Sequence, residues 1–100
     1  MSGVIRHVRV RGRVQGVGFR MFIEDAAAMH GIDGWVRNRR DGSVEAVFAG
    51  AADAVRAVIE ACRRGPRGGW VEALDESEGS DKLLAQRHPG ERFSVLRTEN

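Results

Sequence analysis

An α+β fold of the order β-α-β-β-α-β, an antiparallel sheet with two helices on one face, is what the sequence predicts. Three observations predict it. Val4, Val8, Val10 and Val14 fall on even positions while His7, Arg9, Arg11 and Arg13 take the odd ones, the period of two of a half-buried strand. Two runs with helical apolar spacing each close on a glycine, Gly31 and Gly65. Between those runs, Asp41-Gly42 joins two extended stretches as a hairpin.

The first strand covers roughly residues 4–11 by this alternation. A first helix over roughly 19–30 follows from Phe19, Phe22, Ile23, Ala26 and Met29 or His30 as one apolar face. After the turn at Asp33-Gly34, Trp35-Val36-Arg37-Asn38-Arg39 is extended, and Ser43 to Phe48 runs back. Gly50 ends that hairpin. Ala52, Val55, Val58, Ile59 and Cys62 then describe a second amphipathic helix, with Asp53 near its start and Arg63 and Arg64 in its last turn, as the helix dipole favours. Trp70 to Leu74 forms a fourth strand. The polar segment 75–91 reads as an irregular surface connection with a turn near Leu83-Leu84, and Phe93 to Leu96 as a short strand closing the sheet edge.

One hundred residues, 42% apolar and 30% charged, suit one domain over residues 1–100 with a single core. No stretch approaches the roughly 18 apolar residues of a membrane span, and the start Met1-Ser2-Gly3 lacks the apolar core of a signal peptide, so a cytoplasmic location is expected. Cys62, the lone cysteine, reads as a small buried hydrophobe. His7, His30 and His88 are scattered, with no cysteine or carboxylate at ligand spacing, so neither a metal nor another cofactor is expected. Net charge is only +2, but Arg6, Arg9, Arg11, Arg13 and Arg20 crowd one end. Such a field would draw in a phosphorylated small molecule or a nucleic acid alike.

The most unusual stretch is Gly12-Arg13-Val14-Gln15-Gly16-Val17-Gly18-Phe19-Arg20, where strand gives way to helix. Its helix entry holds no Ser, Thr, Asp or Asn to cap the first amides, and Arg20 places a cation at the positive end of the dipole. A bound anion would reconcile both features, because free amides, glycines and a guanidinium fork together suit phosphate. A glycine-rich turn that merely redirects the chain is the simpler alternative.

These residues carry a resemblance to the acylphosphatases, small α/β phosphatases that hydrolyse the carboxyl–phosphate bond. Gly12 to Arg20 resembles the family's phosphate-binding loop, Gly34-Trp35-Val36-Arg37-Asn38 with Asp41-Gly42-Ser43-Val44-Glu45 its second motif, and Gly65-Pro66 the end of its second helix. Cys62 stands where the family often has an aromatic residue, segment 75–91 aligns with no motif, and the chain has no tyrosine. The resemblance implies a ferredoxin-like sandwich, with Arg20 gripping phosphate beside the backbone amides of Gln15, Gly16, Val17, Gly18 and Phe19. It also implies that Asn38 positions the attacking water. Asparagine is depleted in strands, and a carboxamide can accept from water while donating to a phosphate oxygen; a polar residue near a turn is its bland reading.

The expected activity is hydrolysis of a small acyl phosphate by direct attack of water. The expected state is a monomer with no nucleic acid or membrane partner. The rival readings are a non-catalytic anion-binding domain, like those inside larger carbamoyl-transfer proteins, and an RNA-binding module on the same fold. The latter stacks bases on sheet aromatics, and here the first strand offers none and the third only Phe48, which should face the core.

Overall fold

In the computed structural model, which describes residues 3–98, the chain runs β1 (Gly3–Arg13), α1 (Phe19–His30), β2 (Asp33–Asn38), β3 (Val44–Ala51), α2 (Ala52–Arg64), β4 (Trp70–Glu78), α3 (Asp81–Leu84) and β5 (Phe93–Val95). The opening Met1-Ser2, weighed above for a leader, lies outside the described residues. The sheet order is β4-β1-β3-β2-β5. All neighbours are antiparallel except β2 and β5, which pair in parallel from Gly34–Phe93 to Val36–Val95. The sheet is therefore mixed, where a wholly antiparallel one was expected. The long return through α3 brings the last strand to the β2 edge in the same direction as β2.

The alternation in β1 does what its period demands: Val8 and Val10 are buried, and so is Val14 just beyond the strand. They share one core with Val36, Val44, Ala46 and Phe48 of the neighbouring strands, Phe19, Ile23 and Ala27 of α1, and Val55, Val58, Ile59 and Cys62 of α2. Phe48 faces the core, as expected. In α1 the innermost line is Phe19, Ile23 and Ala27, each four residues apart. Met29 and His30, one of which was expected to continue the apolar face, are both exposed. Ile32 supplies the next buried side chain, folding back past Gly31 so that its amide donates to the Ala27 carbonyl at 2.8 Å.

Segment 75–91 is more ordered than its polarity suggested. β4 continues to Glu78 as an edge strand, and its acids meet β1 cations, Asp75 with Arg11 at 3.6 Å and Glu76 with Arg6 at 2.8 Å. An edge strand with few buried positions carries no apolar alternation, which is why the sequence pattern stops at Leu74. Ser80 caps α3 by accepting from the Leu83 amide, and the Leu83 carbonyl accepts from the indole of the buried Trp35 at 2.7 Å. Cys62 is fully buried, and burial pushes its thiol up to about 12, so it stays protonated and unreactive at neutral pH. No helix among the described residues is long and apolar enough to cross a membrane.

Candidate active site

The loop between β1 and α1 lies beside the end of β2, and between them opens a cleft of about 340 Å³. Gln15, Gly16, Gly18, Phe19, Arg20 and Asn38 line it, so all but one of the residues singled out in the sequence meet there. The exception is Val17, whose side chain packs against the core. Val14, Met21, Glu24 and Val95 complete the lining. Glu24 follows Arg20 by one helical turn, a relation visible in the sequence; Val95 reaches the cleft only through the parallel pairing of β5.

The loop takes its shape from glycines in the left-handed region, Gly16 at φ 75° and Gly18 at φ 80°. A Cβ at either would meet nothing within 4 Å, so backbone conformation alone calls for glycine there. Gly18 is the N-cap of α1 and offers no side-chain oxygen. The first helical hydrogen bond runs from the Phe22 amide to the Gly18 carbonyl at 3.0 Å, and the amides of Gln15 through Met21 have no acceptor among the described residues. α2 also lacks a side-chain cap, but it carries Asp53 in its first turn, whereas α1 has no acid there. Open donors without compensating negative charge are therefore particular to α1.

Two side chains in the cleft are likewise unpaired. Arg20 forms no ion pair or hydrogen bond among the described residues, although Glu24 is near in sequence. Asn38 Oδ1 is buried with no hydrogen-bond partner among the described residues. With no acceptor role inside the folded chain, this oxygen is left to accept from whatever enters the cleft, a water included. Cation, free amides and free carbonyl oxygen together can hold an oxyanion and orient a water against it.

Behind Asn38, on the opposite sheet face, stands Glu45 of the central strand β3. Register places it between Arg9 of β1 and Arg37 of β2. Its carboxylate, with 4% of the side chain exposed, accepts from Arg37 Nε at 2.8 Å and Arg39 Nη1 at 3.0 Å, and meets His7 Nε2 at 2.6 Å. The residues on either side of Asn38 are thus both tied to one acid, a clamp that sequence reading missed. The alternation of charge along 37, 39 and 45 was its only signal. Burial by itself would raise the Glu45 carboxyl, but the His7 and Arg37 hydrogen bonds and the nearby guanidinium charges outweigh it and hold the group below its ordinary value of 4.5. A depressed folded pKa stabilises the fold above the unfolded value, and the contribution disappears as pH falls through the folded one. Glu45→Gln should therefore be less stable than wild type at pH 7, with the gap narrowing below about pH 4.5. Urea midpoints measured from pH 7 to pH 3 check this, and a gap that widens on acidification would contradict it.

Two further arginines of this face, Arg9 and Arg11, are engaged as well. Arg9 and Arg11 lie 3.9 and 3.8 Å from Asp41, and Arg11 also meets Asp75. Trp35 and Phe48 are fully buried, so the middle strands show no ring on which a base could stack. Among the described residues no group of three or more His, Cys, Asp or Glu is placed to hold a metal ion.

A five-stranded sheet under two helices, with a cleft at the β1–α1 turn lined by Arg20, Asn38 and the loop with open amides, defines a small α+β protein whose site suits an oxyanion. Comparison with known proteins narrows this. The acylphosphatase family model matches residues 6–89, and an acylphosphatase of Rhodopseudomonas palustris strain BisB18 is 58% identical over 98 residues, 98% of this chain and 99% of its own. The crystal structure of acylphosphatase from Bacillus subtilis superposes with a TM-score of 0.80 at 34% identity, covering 93% of this chain and 98% of that one. The chain belongs to the acylphosphatase family. Its fold also recurs within full-length HypF, at a TM-score of 0.83 and 22% identity over 12% of that chain, a likeness of fold alone.

Proposed function

We propose that the chain hydrolyses the carboxyl–phosphate bond of small acyl phosphates to a carboxylate and inorganic phosphate by direct in-line attack of water. The observation that carries this reading is the unpartnered Asn38 Oδ1 in the same cleft as the unpaired Arg20 and the open amides of the loop. Arg20, with the amides of Gln15, Gly16, Val17, Gly18 and Phe19, holds the phosphoryl oxygens. Asn38 accepts a hydrogen bond from the attacking water. The new bond joins water oxygen to phosphorus, the bond from phosphorus to the acyl oxygen breaks, and the water's proton passes to a phosphoryl oxygen.

The reaction asks little acid–base work of the protein. The leaving carboxylate has a conjugate acid of pKa about 4, so it departs without protonation. A loose phosphoryl transition state needs chiefly positioning and stabilisation of spread negative charge, which nitrogen donors supply. Among the described residues no hydroxyl, thiol or imidazole lines the cleft and Glu24 is its one carboxylate; the reading takes water as the nucleophile. The same reading has the chain acting as a single-domain monomer in the cytoplasm, without nucleic acid or metal.

Benzoyl phosphate is the substrate for the test, assayed before and after dialysis against EDTA. Hydrolysis should proceed at the same rate in both, with inorganic phosphate inhibiting competitively. A folded protein that leaves benzoyl phosphate intact would overturn the activity, and loss on dialysis that Mg²⁺ or Zn²⁺ restores would overturn the metal-free mechanism.

A further inference from the structure

Gln15 lines the cleft, yet its side-chain amide is turned to other work. Its Nε2 donates to the Arg39 carbonyl at 2.7 Å and to the Ser43 carbonyl at 2.8 Å. An NH2 group has two protons, and both are spent on main-chain oxygens, leaving none for a phosphate. The two acceptors flank the mouth of the β2–β3 turn, where the Arg39 amide also donates to the Ser43 carbonyl at 2.8 Å. The turn is itself well held: Asp41 accepts from both the amide and the hydroxyl of Ser43, which is 2% exposed.

Residues 15 to 17 make no other hydrogen bond among the described residues. The loop bearing the open amides is therefore tied to the rest of the protein by one carboxamide, besides the packing of Val14, Val17 and Phe19. That carboxamide lands on the residue next to Asn38 in the chain. β1 and β2 are not neighbours in the sheet, since β3 lies between them, so no strand ladder directly sets the loop's distance from Asn38.

We infer that Gln15 is a positioning residue: its side chain locks the phosphate loop to the β2–β3 turn and so fixes the loop's amides and Arg20 relative to Asn38. This rests on the proposed hydrolysis only for its kinetic consequence. The structural tie stands without it. Displacement of a reacting group by about 1 Å can cost on the order of 100-fold in rate, so a loose loop should show in turnover before it shows in binding.

The experiment is a double-mutant cycle on benzoyl phosphate with Gln15→Ala, Asn38→Ala and the pair, joined to backbone order parameters of Gly16, Val17 and Gly18 by NMR. Gln15→Ala should lower kcat roughly 10- to 100-fold while KM and the phosphate inhibition constant stay within a few-fold. In the Asn38→Ala background the same change should lower kcat less than about threefold, because the alignment it maintained has already been lost. A general weakening of the fold would instead add fully in both backgrounds. The order parameters should fall from about 0.85 in the wild type toward about 0.6 in Gln15→Ala. Full additivity in kcat, or an effect on KM alone, would overturn the kinetic role. Unchanged order parameters would overturn the tie itself, and that reading does not depend on activity. An inactive wild type would count against the proposed hydrolysis and leave the order parameters to judge Gln15.

Discussion

Arg20→Lys should lose nearly all turnover of benzoyl phosphate, a fall of roughly 100- to 1,000-fold or more, with circular dichroism and cooperative unfolding unchanged. The fold survives because Arg20 has no partner within the described chain, so the substitution breaks no internal contact. Charge is kept while the planar fork is lost, and one ammonium cannot present two parallel donors to a phosphoryl group. Arg20→Gln adds a second arm. It removes a cation from the positive end of α1, so without phosphate it should be as stable as wild type or more so, by up to about 1 kcal/mol. Inorganic phosphate should raise the melting temperature of wild type and do so far less in either variant. Near wild-type turnover in folded Arg20→Lys, or an equal phosphate shift in all three proteins, would place the anion elsewhere.

Asn38→Ala should cut kcat by orders of magnitude while phosphate inhibition stays within a few-fold of wild type, a difference of roughly 1 kcal/mol or less. Arg20 and the loop amides remain in the variant, so the product still binds; what disappears is the acceptor that orients water. Stability supplies an independent check. Asn38 Oδ1 accepts from no described residue, so Asn38→Ala breaks no internal side-chain hydrogen bond and should not be destabilised as an ordinary hydrogen-bonded strand residue would be. Asn38→Asp should turn over as poorly as Ala or worse, because it sets a negative charge beside the phosphoryl group. Equal losses in rate and phosphate affinity would make Asn38 a binding residue, and unchanged turnover would deny it a part in the reaction.

Much of this was legible in the chain because it is local. The strand alternation of Val8 and Val10, the glycines at 16 and 18, and Arg20 in an uncapped first turn all declare themselves within a few residues. Long-range pairing hid the rest. Gln15 meets Arg39 and Ser43 across 24 and 28 residues, and Glu45 meets His7 across 38, contacts that exist only because β3 lies between β1 and β2. The extension of β4 to Glu78 was hidden for another reason, since an edge strand that pairs by charge leaves no apolar signature.

The strand order has a consequence for how the protein folds. The loop after β1 and Asn38 at the end of β2 belong to the first 38 residues, yet β3 must enter between their strands before they face each other. A chain that has formed α1 and its flanking strands but not inserted β3 holds every residue assigned to the reaction and has no cleft. Recovered activity during refolding is thus a reporter of the completed centre of the sheet, and it should lag behind helix formation. Pairing of strands distant in sequence is the slow step in topologies of this kind.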